Sequence, residues 1–285
     1  MNSIELQSSA KINLSIDIVG KYADGYHEVE MILQEIDLYD NINIEKRNEN
    51  IEVDCSVPFL PSDERNLAYK AASVFFSYTG IRGGAGITLD KRIPVSAGLG
   101  GGSSNAACVL AGLNILYEAG LTHREMESLS CDIGSDVTFF IKGGTALCKR
   151  RGDMVEPIET EIILDLLIIK PDIAVSTKEI YGAFDFNNIA VRPQTMNLID
   201  ALRANDSITV SRNLVNVLEN VTLKIFPEIR ELKNRLLELG ALNALMSGSG
   251  SSVFGIFKSR YDAMRAYDRI TEGRYQKFVT RTRVK

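Results

Sequence analysis

The stretch Pro94-Val95-Ser96-Ala97-Gly98-Leu99-Gly100-Gly101-Gly102-Ser103-Ser104-Asn105-Ala106 carries most of the information in this chain. Its four glycines, at 98, 100, 101 and 102, let the main chain approach a bulky anion and turn successive N–H groups toward it with no Cβ in the way. Ser103 and Ser104 add hydroxyl donors. Beyond them Ala106, Val109, Leu110, Leu113, Leu116 and Tyr117 recur at three- and four-residue spacing, which predicts a helix with one buried stripe starting at Ser103 or Ser104. The unpaired N–H groups and the positive dipole end of that helix face the loop. Just upstream, Gly86-Ile87-Thr88-Leu89 reads as a strand. A plain strand-to-helix turn needs only one or two glycines. This richer one reads as a cradle for the phosphates of ATP, built from Pro94, Val95, Ser96, Ala97, Gly98, Leu99, Gly100, Gly101, Gly102, Ser103 and Ser104.

Two better-known phosphate loops do not fit. No Gly-x-x-x-x-Gly-Lys-Ser/Thr occurs, and the spacing Gly-x-Gly-x-x-Gly fails because, counting from Gly98, the last position is Ser103. The anion is held here by backbone and hydroxyls rather than by lysine.

At 285 residues, with 45% apolar and 24% charged side chains, the chain has the makeup of a soluble globular protein of one large or two moderate domains. A net charge of −5 without long like-charge runs argues against a nucleic-acid partner. The basic end Arg281-Thr282-Arg283-Val284-Lys285 reads as a solvated strand end. No membrane partner is expected, since the longest apolar run, Ile162 to Ile169, includes Asp165 and falls far short of the roughly 20 residues a span needs. No signal-peptide pattern is present, so a cytoplasmic location is expected, as a monomer or weak homodimer. Cys55, Cys108, Cys131 and Cys148 show no Cys-x-x-Cys pairing and only His27 and His123 accompany them, so no protein-only metal site is expected. The thiols are expected to be reduced and mostly buried. His123 lies in Thr122-His123-Arg124-Glu125, a capping-box pattern at a helix start, which suits a surface position.

Alternating segments at Ile12 to Ile18 and His27 to Ile36 and a helix at Arg65 to Thr79 precede the glycine loop. From Glu161 onward the order changes. An apolar strand, Ile162 to Ile169, is followed by helical patterns at Thr177 to Phe184 and Thr195 to Ala204, with a loop at Asp185 to Pro193 between them. Pro227 opens a helix whose stripe is Ile229, Leu232, Leu236 and Leu239, and Gly240 closes it. In Ala241 to Phe257 two strand-like runs flank a turn of glycine and serine, and a helix (Tyr261 to Ile270) and a last strand (Tyr275 to Val284) follow. This pattern predicts an α+β fold with an antiparallel sheet in the second part, and two domains, 1–158 and 159–285.

Three further segments carry candidate chemistry. Ala10-Lys11-Ile12-Asn13-Leu14-Ser15-Ile16 alternates, so Lys11, Asn13 and Ser15 share one strand face. Lys11 is then either a solvent-facing lysine on an edge strand or an active-site cation. After the Asp24-Gly25 turn, Tyr26 and His27 are either packing groups or a platform for a planar heterocycle. Asp136, between Gly134 and the apolar Val137-Thr138-Phe139-Phe140, is either a helix cap or a carboxylate whose burial raises its pKa unless a cation is near. A phosphate cradle, a lysine and a semi-buried aspartate are the parts needed for phosphoryl transfer to an alcohol.

Ala10-Lys11-Ile12-Asn13-Leu14, Ala23-Asp24-Gly25-Tyr26-His27-Glu28, Gly98 through Ala107, Ile133-Gly134-Ser135-Asp136-Val137 and Ser247-Gly248-Ser249-Gly250 stand in the order found in the GHMP kinases, the superfamily of galactokinase, homoserine kinase, mevalonate kinase and phosphomevalonate kinase. Over nearly its whole length the chain resembles the branch whose acceptor is a cytidine-diphosphate-linked methylerythritol. The resemblance implies transfer of the ATP γ-phosphoryl group, with Mg²⁺, to the 2-hydroxyl of that acceptor, in the non-mevalonate route to isoprenoid precursors. It implies Asp136 as the base, assisted by Lys11, and Asn13, Tyr26, His27, Thr177 and Tyr181 on the acceptor side. Asn66, Lys91 and Asn105 match nucleotide-side positions, and Ser103, Ser104 and the phosphates are candidate contacts for Mg²⁺. The implied fold is a two-domain GHMP kinase fold, an N-terminal β-α domain with a left-handed β-α-β crossover and a ferredoxin-like C-terminal domain. Ser9, Arg150, Asp153 and Ser251-Ser252 depart from the commonest pattern, in which proline, glycine, glutamate and Pro-Thr are frequent at those places. The competing readings are another GHMP small-molecule kinase and a catalytically silent binding module. Asp24-Gly25-Tyr26-His27 weighs against the first and the pair Lys11 and Asp136 against the second.

Overall fold

A computed structural model describes residues 1–285. Two long strands, β1 (Ser3–Lys21) and β2 (His27–Arg47), open the chain, followed by β3 (Ile51–Cys55), α1 (Leu67–Thr79) and β4 (Gly84–Asp90). Three helices come next, α2 (Gly101–Leu116), α3 (His123–Ile133) and α4 (Val137–Lys142), and then the pair β5 (Thr145–Arg150) and β6 (Met154–Pro157). The remainder runs β7 (Asp165–Pro171), α5 (Thr177–Gly182), α6 (Thr195–Arg203), α7 (Ser207–Arg212), β8 (Val215–Asn216), α8 (Glu219–Ile225) and α9 (Pro227–Glu238). It ends with β9 (Asn243–Met246), β10 (Val253–Phe257), α10 (Arg260–Arg269) and β11 (Tyr275–Arg281). Two compact units result, each assembled from separate segments: Met1–Ala10, Leu38–Val95 and Gly100–Gly143 form one, Lys11–Asp37, Ser96–Leu99 and Gly144–Lys285 the other.

In the first unit β3 and β4 pair in parallel through the α1 crossover, Ile51 opposite Ala85 and Cys55 opposite Leu89. β4 also pairs antiparallel with the far half of β2, Asn41 opposite Asp90 and Arg47 opposite Gly84. The Asn66 side chain caps α1 by accepting from the Ala68 N–H, and Gly80, at φ 66°, ends it with its N–H bonded to the Phe76 carbonyl. Thr122 and Glu125 form the capping box expected of α3, with His123 exposed. Ile44, Phe75, Ile87, Leu110 and Leu113 meet in a single core. Each such side chain contributes about 1.5–3 kcal/mol by leaving water.

The second unit contains a four-stranded sheet in the order β11-β7-β10-β9, with every neighbour antiparallel. With α9 before β9 and α10 before β11, this is the β-α-β-β-α-β arrangement of a ferredoxin-like fold. β7 lies between β10 and β11, and Leu166 through Ile169 are fully buried, which explains why its sequence is a continuous apolar run rather than an alternation. In the same unit the near half of β2 pairs with β5, β5 with β6, and β8 runs parallel to β1 with Ser15 opposite Val215.

Several boundaries differ from the sequence expectation. α2 starts at Gly101 rather than at Ser103 or Ser104, because Gly98 and Gly100, at φ 75° and 72°, already complete the turn. β1 and β2 extend beyond Ile12 to Ile18 and His27 to Ile36, α5 stops at Gly182, and the elements α7, β8 and α8 carry no clear sequence signal. The basic C-terminus is an exposed strand end, as its sequence suggests, and is also tied down: Arg281 pairs with Asp37, and the Arg283 N–H donates to the Glu35 carbonyl. All four cysteines are free thiols, but only Cys148 is fully buried and Cys131 is exposed. Burial pushes the Cys108 thiol up to about 12, which keeps it protonated and inert. No helix is long and apolar enough to cross a membrane.

One polar knot in the first unit escaped the sequence reading. Asp40, fully buried on β2, pairs with the Lys91 ammonium and accepts from the Asn105 amide at 2.9 Å and from the Arg92 and Ile93 N–H groups at 2.7 and 2.8 Å. Asn105 in turn accepts from Lys91 at 2.8 Å and donates to the Ser8 hydroxyl at 2.7 Å. The knot joins the chain leaving β4 to the second turn of α2. Asp40→Ala strands the Lys91 ammonium in a site where its side chain is only 6% exposed. A loss of about 3–5 kcal/mol is expected in chemical denaturation, and a loss below about 1 kcal/mol would show the knot to be incidental.

Candidate active site

The glycine loop and the C-terminal glycine turn are built against each other. A Cβ on Gly98 would lie 2.0 Å from the carbonyl oxygen of Ser247, so no side chain fits there. The Ser247 hydroxyl donates to the Gly98 carbonyl at 2.9 Å, the Ser252 N–H donates to the Ala97 carbonyl at 3.3 Å, and the Lys11 N–H donates to the Leu99 carbonyl at 2.9 Å. Behind the turn, the Asn216 amide donates to the carbonyls of Met246 and Gly248 at 2.9 and 2.8 Å. The segment Ser247-Gly248-Ser249-Gly250, legible in the sequence only as a hairpin turn, is thus also a clasp on the residues before α2. Asn216, which holds the clasp, lies in the part of the chain without sequence signal.

Ser96, Gly98 and Gly100 all have positive φ, and α2 then begins on Gly100 with no side-chain cap. Its first-turn N–H groups therefore have no side-chain acceptor at the N-cap and remain suited to an anion. Ser103 is half-buried and Ser104 buried in that first turn. Asn66, Lys91 and Asn105 are all engaged within the protein: Asn66 caps α1 and donates to the Pro61 carbonyl at 2.8 Å, and the other two belong to the Asp40 knot.

Lys11 is 4% exposed and Asn13 1% exposed, on β1 between its neighbours β2 and β8. A solvent-facing edge lysine is therefore excluded. The Lys11 ammonium donates to the Asn13 carbonyl oxygen at 2.7 Å, and the same oxygen lies 3.4 Å from the Ser247 hydroxyl of the clasp. In the other unit Asp136 occupies the N-cap position of α4, yet its half-buried side chain makes no capping bond to that helix. The capping explanation for Asp136 therefore fails as well.

His27 begins β2 and is buried among aromatic rings. Tyr181 lies 5.4 Å away, Phe184 6.4 Å away edge-on, and Phe186 6.4 Å away and nearly parallel. Burial first, and the Lys21 charge second, hold the imidazole below its ordinary pKa of 6.5. At neutral pH the ring is uncharged, with one donor and one acceptor nitrogen. As pH falls through 6.5 the unfolded chain takes up this proton before the folded one does, so His27 makes the fold less stable toward acid. Tyr26, beside it in sequence, keeps 47% of its surface exposed. Thr177 opens α5 with its hydroxyl 2.9 Å from that of Ser249 in the clasp. Phe184 and Phe186 were not singled out from sequence, although two phenylalanines flanking an aspartate in a loop were there to be read.

Residue 98 offers a direct test of the clasp. Gly98→Ala should raise KM for the phosphoryl donor by at least roughly tenfold, about 1.4 kcal/mol, while the far-UV circular dichroism stays unchanged. Normal donor affinity in the variant would mean that the contact with Ser247 does not shape the loop.

The GHMP kinase N-terminal domain family matches residues 66–144, and the GHMP kinase C-terminal family matches residues 198–276. The 4-diphosphocytidyl-2-C-methyl-D-erythritol kinase of Clostridium botulinum strain Hall is 43% identical over 97% of this chain and 99% of its own length. The enzyme of that name from Alkaliphilus metalliredigens is 45% identical over 95% of this chain and 94% of its own. A crystal structure of a 4-(cytidine 5'-diphospho)-2C-methyl-D-erythritol kinase superposes with a TM-score of 0.82 at 31% identity, covering 98% of this chain and 100% of that one. A homoserine kinase from Cytophaga hutchinsonii, 20% identical with a TM-score of 0.76, shares the fold alone. With its ferredoxin-like sheet and its glycine loop clasped by a second glycine turn, the chain belongs to the GHMP kinases and, within them, to the 4-diphosphocytidyl-2-C-methyl-D-erythritol kinase family.

Proposed function

We propose that this chain transfers the γ-phosphoryl group of ATP to the 2-hydroxyl of 4-diphosphocytidyl-2-C-methyl-D-erythritol, a step of the methylerythritol phosphate route to isoprenoid precursors. Homology over nearly the full length supports the reaction. One observation favours this acceptor over the others the fold serves: the neutral, buried His27 ringed by Tyr181, Phe184 and Phe186. A pyrimidine can stack in such surroundings and bond both imidazole nitrogens, whereas homoserine, mevalonate and galactose have no planar base.

In this reading Asp136 accepts the proton of the acceptor hydroxyl as its oxygen attacks the γ-phosphorus and the bond to the β-phosphate bridging oxygen breaks. Lys11 steadies the charge that develops on the acceptor oxygen. Asn13 orients the Lys11 ammonium through their 2.7 Å bond, and Asn13 and Thr177 hold the acceptor. Tyr26, His27 and Tyr181 receive the cytosine. Pro94 through Ser104 surround the triphosphate, and Asn66, Lys91 and Asn105 stand on the nucleotide side, where their bonds within the protein make them supports for the loop. Mg²⁺ takes oxygen ligands and keeps several waters, so the Ser103 and Ser104 hydroxyls with phosphate oxygens suit it as a set. When bound, the ion neutralises phosphate charge. Residues 1–158 then form the domain carrying the loop and the catalytic pair, and 159–285 the C-terminal domain, in a cytoplasmic monomer or weak homodimer.

ADP release from Mg²⁺-ATP tests the reaction. Turnover is expected with the cytidylated methylerythritol and none with mevalonate, homoserine or galactose. Turnover with one of those three instead reassigns the acceptor, and turnover with none of the four leaves a binding module. For the mechanism, Asp136→Asn should lower kcat at least roughly 100-fold with ATP affinity within about twofold of normal. An unchanged kcat removes Asp136 as the base.

A further inference from the structure

The turn joining β5 to β6 carries Arg150-Arg151-Gly152-Asp153, a segment that departs from the commonest family pattern and takes no part in the chemistry above. Arg150 has φ 63°, and the Arg151 N–H donates to the Asp153 carboxylate at 3.1 Å, so the turn is locked by its own side chain. It presents Arg151 to a second turn, Tyr22 to Tyr26. That turn is closed by the Tyr22 N–H on the Tyr26 carbonyl at 2.8 Å, the Gly25 N–H on the Tyr22 carbonyl at 2.9 Å, and the Tyr26 N–H on the Asp24 carboxylate at 3.0 Å. The Arg151 guanidinium pairs with Asp24 and lies over two rings at once, 4.9 Å from the centre of Tyr26 and 5.0 Å from that of Tyr22. The pair holds the Asp24 carboxyl below the usual carboxylate range.

This geometry has a purpose that packing does not explain. Tyr26 lies at the end of an exposed turn, where an unrestrained ring would sample several rotamers and would lose that freedom on stacking with a base. A guanidinium is flat, always charged and able to stack while it hydrogen-bonds, so it fixes the plane of the ring it covers, which a lysine ammonium does not. We propose that Arg151 is a positioning residue for acceptor recognition: anchored by Asp24, it covers one face of Tyr26 and presents the other to the pyrimidine. The proposal rests on the acceptor assigned above and adds a residue outside the aromatic cluster to its recognition.

The test is steady-state kinetics of wild type, Arg151→Ala, Arg151→Lys and Asp24→Asn with ATP and the cytidylated methylerythritol, alongside displacement of that acceptor by CDP. Arg151→Ala should raise KM for the acceptor and weaken CDP binding, each by about three- to tenfold, as expected for one exposed cation–aromatic contact plus one exposed ion pair. KM for ATP and kcat should stay within about twofold of wild type. Arg151→Lys should recover only part of the loss, and Asp24→Asn should move KM in the same direction by a smaller factor. An unchanged acceptor KM in Arg151→Ala overturns the proposal, as does a parallel loss of kcat and rise of both KM values, the mark of a structural role. Full rescue by lysine overturns the planar-stacking basis. A wild-type enzyme that releases no ADP with this acceptor overturns the functional reading and this proposal with it, whereas normal wild-type turnover with unaffected variants overturns only the role of Arg151.

Discussion

A carbonyl oxygen standing 2.0 Å from where a side chain would begin makes residue 98 a glycine for reasons unconnected with phosphate. The Ser247 hydroxyl bonds across the same contact, between residues 149 positions apart in the chain. The glycine loop is therefore not a self-contained motif. Its first half is shaped by a turn from the far end of the sequence, which Asn216 holds in turn, and its second half is the uncapped start of α2. Donors fixed by the fold need little reorganisation when charge develops, and this suits a transfer whose catalysis rests on positioning and electrostatics.

The same constraint bears on how the chain folds. Contacts of such sequence separation form only after much loop-closure entropy has been lost, so the clasp belongs among the later events of folding. β10 pairs with both β7 and β9, and the Ser247-to-Ser252 turn joins β9, at the sheet edge, to β10.

What the sequence revealed follows from how local each signal is. The glycine loop, the α2 stripe, the Thr122 capping box and the Pro227 helix start all depend on residues within a turn or two of one another, and each appears in the structure with boundaries shifted by a residue or two. Lys11 was ambiguous because alternation reveals that two faces exist but not which is covered. In the structure both faces of this part of β1 are covered, Lys11, Asn13 and Ser15 being buried like Ile12, Leu14 and Ile16. Asp40 was invisible, since a single aspartate in a strand acquires meaning only from Lys91 and Asn105, 51 and 65 residues away. The short elements α7, β8 and α8 are too brief to show a period, and β8 is held by two residues paired with β1. The roles assigned to Asn66, Lys91 and Asn105 came from family resemblance alone, and the geometry adds what their spacing could not, that their polar atoms are already bonded within the protein.

Asp40 and Asp136 are held in different ways. Asp40 accepts from two side chains and two backbone N–H groups, so its charge is fully occupied by the fold and its loss is a matter of stability. Asp136 stands where a carboxylate ordinarily gains about 1 kcal/mol by capping a helix, and its side chain forgoes that bond. On β1, Lys11 is buried and its ammonium donates to the side-chain oxygen of its neighbour Asn13. An ion-paired lysine such as Lys91 has spent its field on its partner.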